Sequence, residues 1–155
     1  MVDAKDSAKV DGGLSCGGVM LHGCFVMHVR TDGVAIPGSI VRLRAQSGNL
    51  SGQWVGDVPI ASGEIVDIDV DTRRIYPIGE FEIVVGGTDG FTILPDSDEV
   101  RISGIVMEVD EYGILTLNVS GHLMFIETEG DVPDDFVGSR VQIITNDLKF
   151  YPMNA

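Results

Sequence analysis

Cys16, His22, Cys24 and His28 fall within thirteen consecutive positions of this 155-residue chain and make up four of its five cysteine and histidine side chains. Zinc needs about four nitrogen or sulfur ligands converging on one point, so the clustering asks for an answer. On a strand, His22, Cys24 and His28 share a face by parity. At ~3.3 Å per residue, however, Cys24 and His28 stand about 13 Å apart, too far to share an ion. That leaves Cys16, His22 and Cys24, which lack a fourth ligand and the paired Cys-x-x-Cys spacing of a structural site. The expectation is no metal and no cofactor, with these side chains packed or at the surface.

Asp67, Asp69 and Asp71 alternate as the first carboxylates of a calcium loop do. The remainder of that loop is missing, because Thr72 stands where glycine is required and Ile78 where glutamate is required. A flat strand also splays such side chains instead of wrapping them round a cation. Two readings remain, a solvated outer face and a docking surface for a basic partner. Catalytic signatures are absent: no G-x-S-x-G, HExxH, Walker A or GxGxxG segment occurs in strand-to-helix context. Ser51 and Ser103 have no evident His and Asp companions, and Asp134-Asp135 follows Pro133 in an expected linker. A non-enzymatic protein is expected.

These residues must be carried by short strands. The chain has 24 Asp and Glu against 10 Lys and Arg, a formal net charge of −14, with 44% hydrophobic residues. An acidic shell around a real core follows, and such a field repels phosphate backbones while attracting basic partners. Aromatics are only 6% and glycines number 20, which favours strands and tight turns over a helical bundle. No apolar run approaches the ~18 residues of a membrane span. The polar start, with residues 1–15 read as a flexible leader, lacks a signal-peptide core, and two cysteines fit thiols in the cytoplasm.

Alternation places strands over 19–30, 34–36 and 39–44. Residues 46–63, with several glycines around Trp54, are expected to be a long loop with one brief strand. Residues 64–71 form a clear strand with Val66, Ile68 and Val70 inward and a ladder of carboxylates outward. A continuous strand is expected over 76–85, turns at Gly86-Gly87 and Asp89-Gly90, a strand over 91–94 and a connector over 95–98. After Val100 and Ile102 the apolar parity switches to Ile105, Met107 and Val109, which suggests a bulge at Gly104. Strands around Leu115, Leu123, Val141 and Leu148 follow, with Asp131 to Gly138 as a short helix or ordered loop. Phe125 and Phe150 are expected in the core.

Three meandering strands, a linker and two further strands, led by a glycine-containing coiled strand, resemble the OB-fold barrel over the last third of the chain. The resemblance implies a nucleic-acid binder, yet residues 98–153 hold only Arg101, Arg140 and Lys149 as basic side chains. Val19 to Gly23 and Val100 to Gly104 share a spacing of apolar and glycine positions, followed by turns at Gly33 and Gly113. Two related β halves are one reading of that echo. The expected fold is all-β, a small antiparallel barrel or sandwich. An N-terminal β region over 16–95 and an OB-like region over 96–155 divide it, or 16–155 forms one continuous domain.

The resulting functional expectation is an acidic, non-enzymatic module that binds a basic protein. Its general character is similar to small bacterial immunity proteins that neutralise a cationic toxin, a comparison resting on size, acidity and missing catalytic motifs. The candidate contacts are Asp67, Asp69 and Asp71, then Glu108, Asp110 and Glu111, then Glu127, Glu129 and Asp131. Alternatives are a self-assembling β module and an atypical OB-fold nucleic-acid binder; the basic-partner reading allows a homodimer, and neither membrane nor nucleic acid is the expected partner. Residues 1–63 hold five acidic and five basic side chains, whereas 64–155 hold nineteen acidic and five basic. The surface is therefore sought after Gly63.

Overall fold

A computed structural model describes residues 26–153. Twelve strands follow in order: β1 Met27–Asp32, β2 Ile40–Ala45, β3 Gly48–Trp54, β4 Ile65–Thr72, β5 Tyr76–Pro77, β6 Glu82–Ile83, β7 Gly90–Ile93, β8 Val100–Val109, β9 Ile114–Val119, β10 His122–Glu129, β11 Arg140–Thr145 and β12 Leu148–Pro152. A 3-10 turn over Ile78–Glu80 separates β5 from β6, and the described residues contain no α-helix. The all-β expectation holds, and the barrel form is the one adopted.

Closure comes from a strand distant in sequence. β1 pairs antiparallel with β2 and β4, and β2 pairs antiparallel with β3. β12 then fills the remaining gap, antiparallel to β4 and parallel to β3, where Lys149 and Phe150 face Gln53 and Trp54. Five strands thus form a ring without a free edge, an arrangement consistent with an OB-like barrel. The remaining strands pack outside it in a similar order. β8 pairs with β9 and β11, and β9 with β10. β5 lies parallel to β10 and β6 antiparallel to β11, so the place that β12 takes in the first ring is shared here by two short pieces. Equivalent registers recur: Arg30 faces Ile65 as Ile105 faces Arg140.

The chain therefore exchanges its fifth strands. After β4 it leaves the first ring to supply β5 and β6 to the second, and after β11 it returns to supply β12 to the first. This corrects the OB-like assignment of the last third, whose final strand completes the other barrel. The two crossings lie side by side, for the Arg73 N–H donates to the Asp147 carboxylate at 2.8 Å. The Tyr76 and Thr145 hydroxyls share a buried 2.6 Å hydrogen bond. β7 adds a further link, pairing with β8 along its length and with β3 at Gly48.

Packing explains several other departures. The expected loop over 46–63 contains the seven-residue β3, whose Leu50, Ser51, Gly52 and Trp54 are buried. Gly52 within it is a close-approach residue: a Cβ there would meet the Leu148 carbonyl oxygen at 2.6 Å. The strand expected over 34–36 is reduced to a single bridge between Ala35 and Ile60. The continuous strand over 76–85 is broken by the 3-10 turn, which buries Ile78 and Phe81 but leaves Val85 fully exposed. No parity switch occurs at Gly104, because Val100, Ile102, Gly104 and Val106 all face inward. The bulge sits between Val106 and Glu108, and Gly104 is small because a Cβ would meet the Asn118 carbonyl oxygen at 2.6 Å. Residues 131–138 form an ordered turn that buries Phe136.

Because Gly52 admits β12 to the ring, Gly52→Ala must push β12 away or strain it. The expected cost is about 1–3 kcal/mol, read as a lower urea midpoint, by analogy with overpacked cores; an unchanged midpoint would contradict tight β3–β12 closure.

Candidate functional site

Six of the nine candidate acids lie at one end of β8, β9 and β10. Glu108 on β8 faces Thr116 on β9, which faces Phe125 on β10, and Glu127 faces Ile114 two pairs further along. The β8–β9 turn folds onto the end of β10, where the Thr128 N–H donates to the Gly113 carbonyl at 2.8 Å. Asp110, Glu111, Glu129 and Asp131 are thereby brought beside Glu108 and Glu127. Asp110 also has a structural task, since one of its oxygens accepts N–H bonds from Tyr112 and Ile114, each at 2.9 Å. The other five are exposed. Among the described residues, none of the six forms an ion pair.

Apolar surface lies among these charges. Tyr112 is 80% exposed at the turn, Met107 41% at the bulge and Phe125 50% on β10. The placement of Phe125 overturns the core expectation: Met124 and Ile126 take the inward parity, so Phe125 points outward. Phe150 is fully buried as expected. The sequence reading missed Tyr112 and Met107, although a tyrosine in a Glu-Tyr-Gly turn was a usable signal.

Asp67, Asp69 and Asp71 form a separate group on the outer face of β4. Asp67 accepts a hydrogen bond from the His28 ring across the β1–β4 pair. Asp69 faces Tyr151 and Asp71 faces Lys149 on β12. Burial, reinforced by the neighbouring Asp71 charge and opposed by the Val70 N–H, raises the Asp69 pKa above the ordinary carboxylate value. The ladder is thus half-buried, and Asp67 has a His28 partner, unlike the six acids on the second ring.

Cys16, His22 and Cys24 lie outside the described residues. His28 is exposed and held by Asp67. Among the described residues no three His, Cys, Asp or Glu side chains are close enough to hold a metal ion. Ser51 is buried with its hydroxyl on Asp98 at 3.3 Å, a carboxylate that also meets Arg42, so it ties β3 to the connector before β8. Ser103 lines a surface cavity instead. No helix among the described residues is long and apolar enough to cross a membrane. No protein-family model, curated protein or solved structure matches this chain.

His122 was not singled out from sequence, though it shares the inward parity of Met124 and Ile126. It is buried, and neither ring nitrogen has a hydrogen-bond partner among the described residues. Burial pushes its pKa down to about 4. The folded state therefore keeps it neutral at pH 7, while the unfolded chain protonates it near the ordinary histidine value of about 6.5. Its stabilising contribution is complete above pH ~6.5 and is lost as pH falls towards 4, by up to about 3 kcal/mol. An NMR titration should place the imidazole midpoint near pH 4, and His122→Leu should remove this part of the acid dependence of unfolding. A midpoint at the ordinary value would contradict the burial.

Proposed function

We propose that this protein is a non-enzymatic binding module that takes a basic protein on the acidic end of β8, β9 and β10. The observation carrying the reading is a group of six carboxylates without cationic partners among the described residues, interleaved with Tyr112, Met107 and Phe125. Unneutralised charge steers a cationic partner and raises its association rate. Exposed aromatic and methionine side chains supply apolar contact once the partner arrives. Residues 76–145 hold fourteen acidic side chains against Arg101 and Arg140, so the field is concentrated on the second ring. Asp67, Asp69 and Asp71 contribute at longer range.

An immunity-type inhibitor of a basic toxin or effector is the particular form this reading takes. Cytoplasmic location belongs to the same proposal. The alternative OB-fold role in nucleic-acid binding has one observation in its favour, the outward Phe125 on a central strand. The carboxylates beside it would repel a phosphate backbone. Self-assembly through strand edges has less support, because every strand of the closed ring is bonded on both sides.

With a partner identified by affinity capture and then purified, Glu108→Lys, Glu127→Lys and Glu129→Lys together should weaken its binding by about a hundredfold or more, the scale of a lost interface hot spot. Asp67→Lys, Asp69→Lys and Asp71→Lys should mainly slow association, with the difference vanishing at high salt. Full-strength binding by the first triple variant at low salt would sink the assignment.

A further inference from the structure

A second surface feature has the opposite chemistry. On the outer face of β7, β8 and β11, Thr92 faces Arg101, while Ser103 stands between Gly90 and Gln142. The segment from Val84 to Asp89 walls this polar floor, and with Ser47, whose carbonyl accepts the Phe91 N–H at 2.9 Å, they line an open cavity of about 450 Å³. The volume exceeds that of a lone inorganic anion and suits a small organic molecule.

The wall is built and anchored. Gly86 and Gly87 both have positive φ, 78° and 83°, a backbone course that other residues rarely adopt. Arg140 pins the wall by donating to the Asp89 carboxylate at 2.7 Å and to the Gly86 carbonyl at 3.2 Å. Among the described residues, the N–H groups of Gly87 and Thr88 have no protein acceptor.

Charge selects the ligand. Of the two guanidinium groups in residues 76–145, Arg140 is committed to Asp89, whereas Arg101 lines the cavity and has no ion-pair partner among the described residues. A planar guanidinium fork matches carboxylate and phosphate oxygens. Ser47, Thr88, Thr92 and Ser103 also line the cavity, as does Gln142, whose amide already donates one N–H to Glu82 at 2.8 Å and keeps its carbonyl and second N–H, a set of donors and acceptors suited to a polyol. We propose that this cavity binds a small sugar carrying a phosphate or carboxylate, with the oxyanion on Arg101 and the sugar hydroxyls on the remaining polar lining.

The site is separate from the acidic docking end, so either assignment can fail alone. The test is titration of the full chain with glucose 6-phosphate, glucuronate, glucose and inorganic phosphate, followed by amide NMR and calorimetry. At least one anionic sugar should shift the Gly87, Thr88, Arg101 and Ser103 amides and bind about tenfold or more tightly than either glucose or inorganic phosphate. Arg101→Gln should lose that advantage, and Arg101→Lys, which keeps the charge and most of the stem, should lose less of it. Thermal midpoints of both variants separate lost binding from lost folding. The proposal is overturned if neither anionic sugar moves those amides, if glucose or phosphate binds as well, or if folded Arg101→Gln and Arg101→Lys bind like the parent chain.

Discussion

Everything in this fold turns on the crossing where Arg73 to Tyr76 passes Thr145 to Leu148. At that point the first ring receives β12 and the second set of strands receives β5 and β6, and one buried and one exposed polar contact hold the two passages together. The Tyr76–Thr145 hydrogen bond satisfies two hydroxyls that could not be left unpaired in the core without a cost of about 1–3 kcal/mol each. Arg73 reinforces the outer side, with its backbone on Asp147 and its guanidinium against the Tyr151 ring and hydroxyl. Neither ring is complete without chain contributed across this junction.

The interlock leaves the two outer surfaces free to differ. On the first ring, Asp67 meets His28 and Asp32 meets Arg44, and acidic and basic side chains are closer to balance. On the second, the acids greatly outnumber the two arginines, and one of those is spent on holding the Gly86 wall. The same ring therefore offers an acidic end with exposed Tyr112 and, on another face, a polar cavity containing a guanidinium. Charge segregation of this kind lets long-range attraction of a cationic protein coexist with short-range selection of a small anion. The fold's contribution is to hold the two at separate places on one rigid set of strands.

Much of the strand content was legible because alternation reports which side of a strand is buried. Val66, Ile68 and Val70 against Asp67, Asp69 and Asp71 is the clearest case, and Leu115, Leu117 and Val119 another. Pairing order was not legible, because a short amphipathic strand does not specify its distant partner. Nothing within Leu148 to Pro152 indicates that it joins β3 and β4. Glycine was ambiguous for a physical reason: it marks a turn, a bulge or a close approach, and Gly52 and Gly104 are close approaches. Phe125 misled because Leu123 shares its parity and is covered, whereas Met124 and Ile126 define the core side. The acidic residues were found in sequence, but their division into one half-buried ladder and one exposed group required the turn that folds Gly113 onto Thr128.

Exchange of fifth strands makes the two rings one cooperative unit, and urea unfolding followed at one site in each ring measures that directly. Trp54 is the chain's single tryptophan and lies buried on β3 beside β12, so its fluorescence reports the first ring. The amide of Leu117 on β9 reports the second by NMR. Coincident midpoints and slopes at both sites are predicted. Two resolved transitions, with one ring folded after the other has melted, would contradict the interlock.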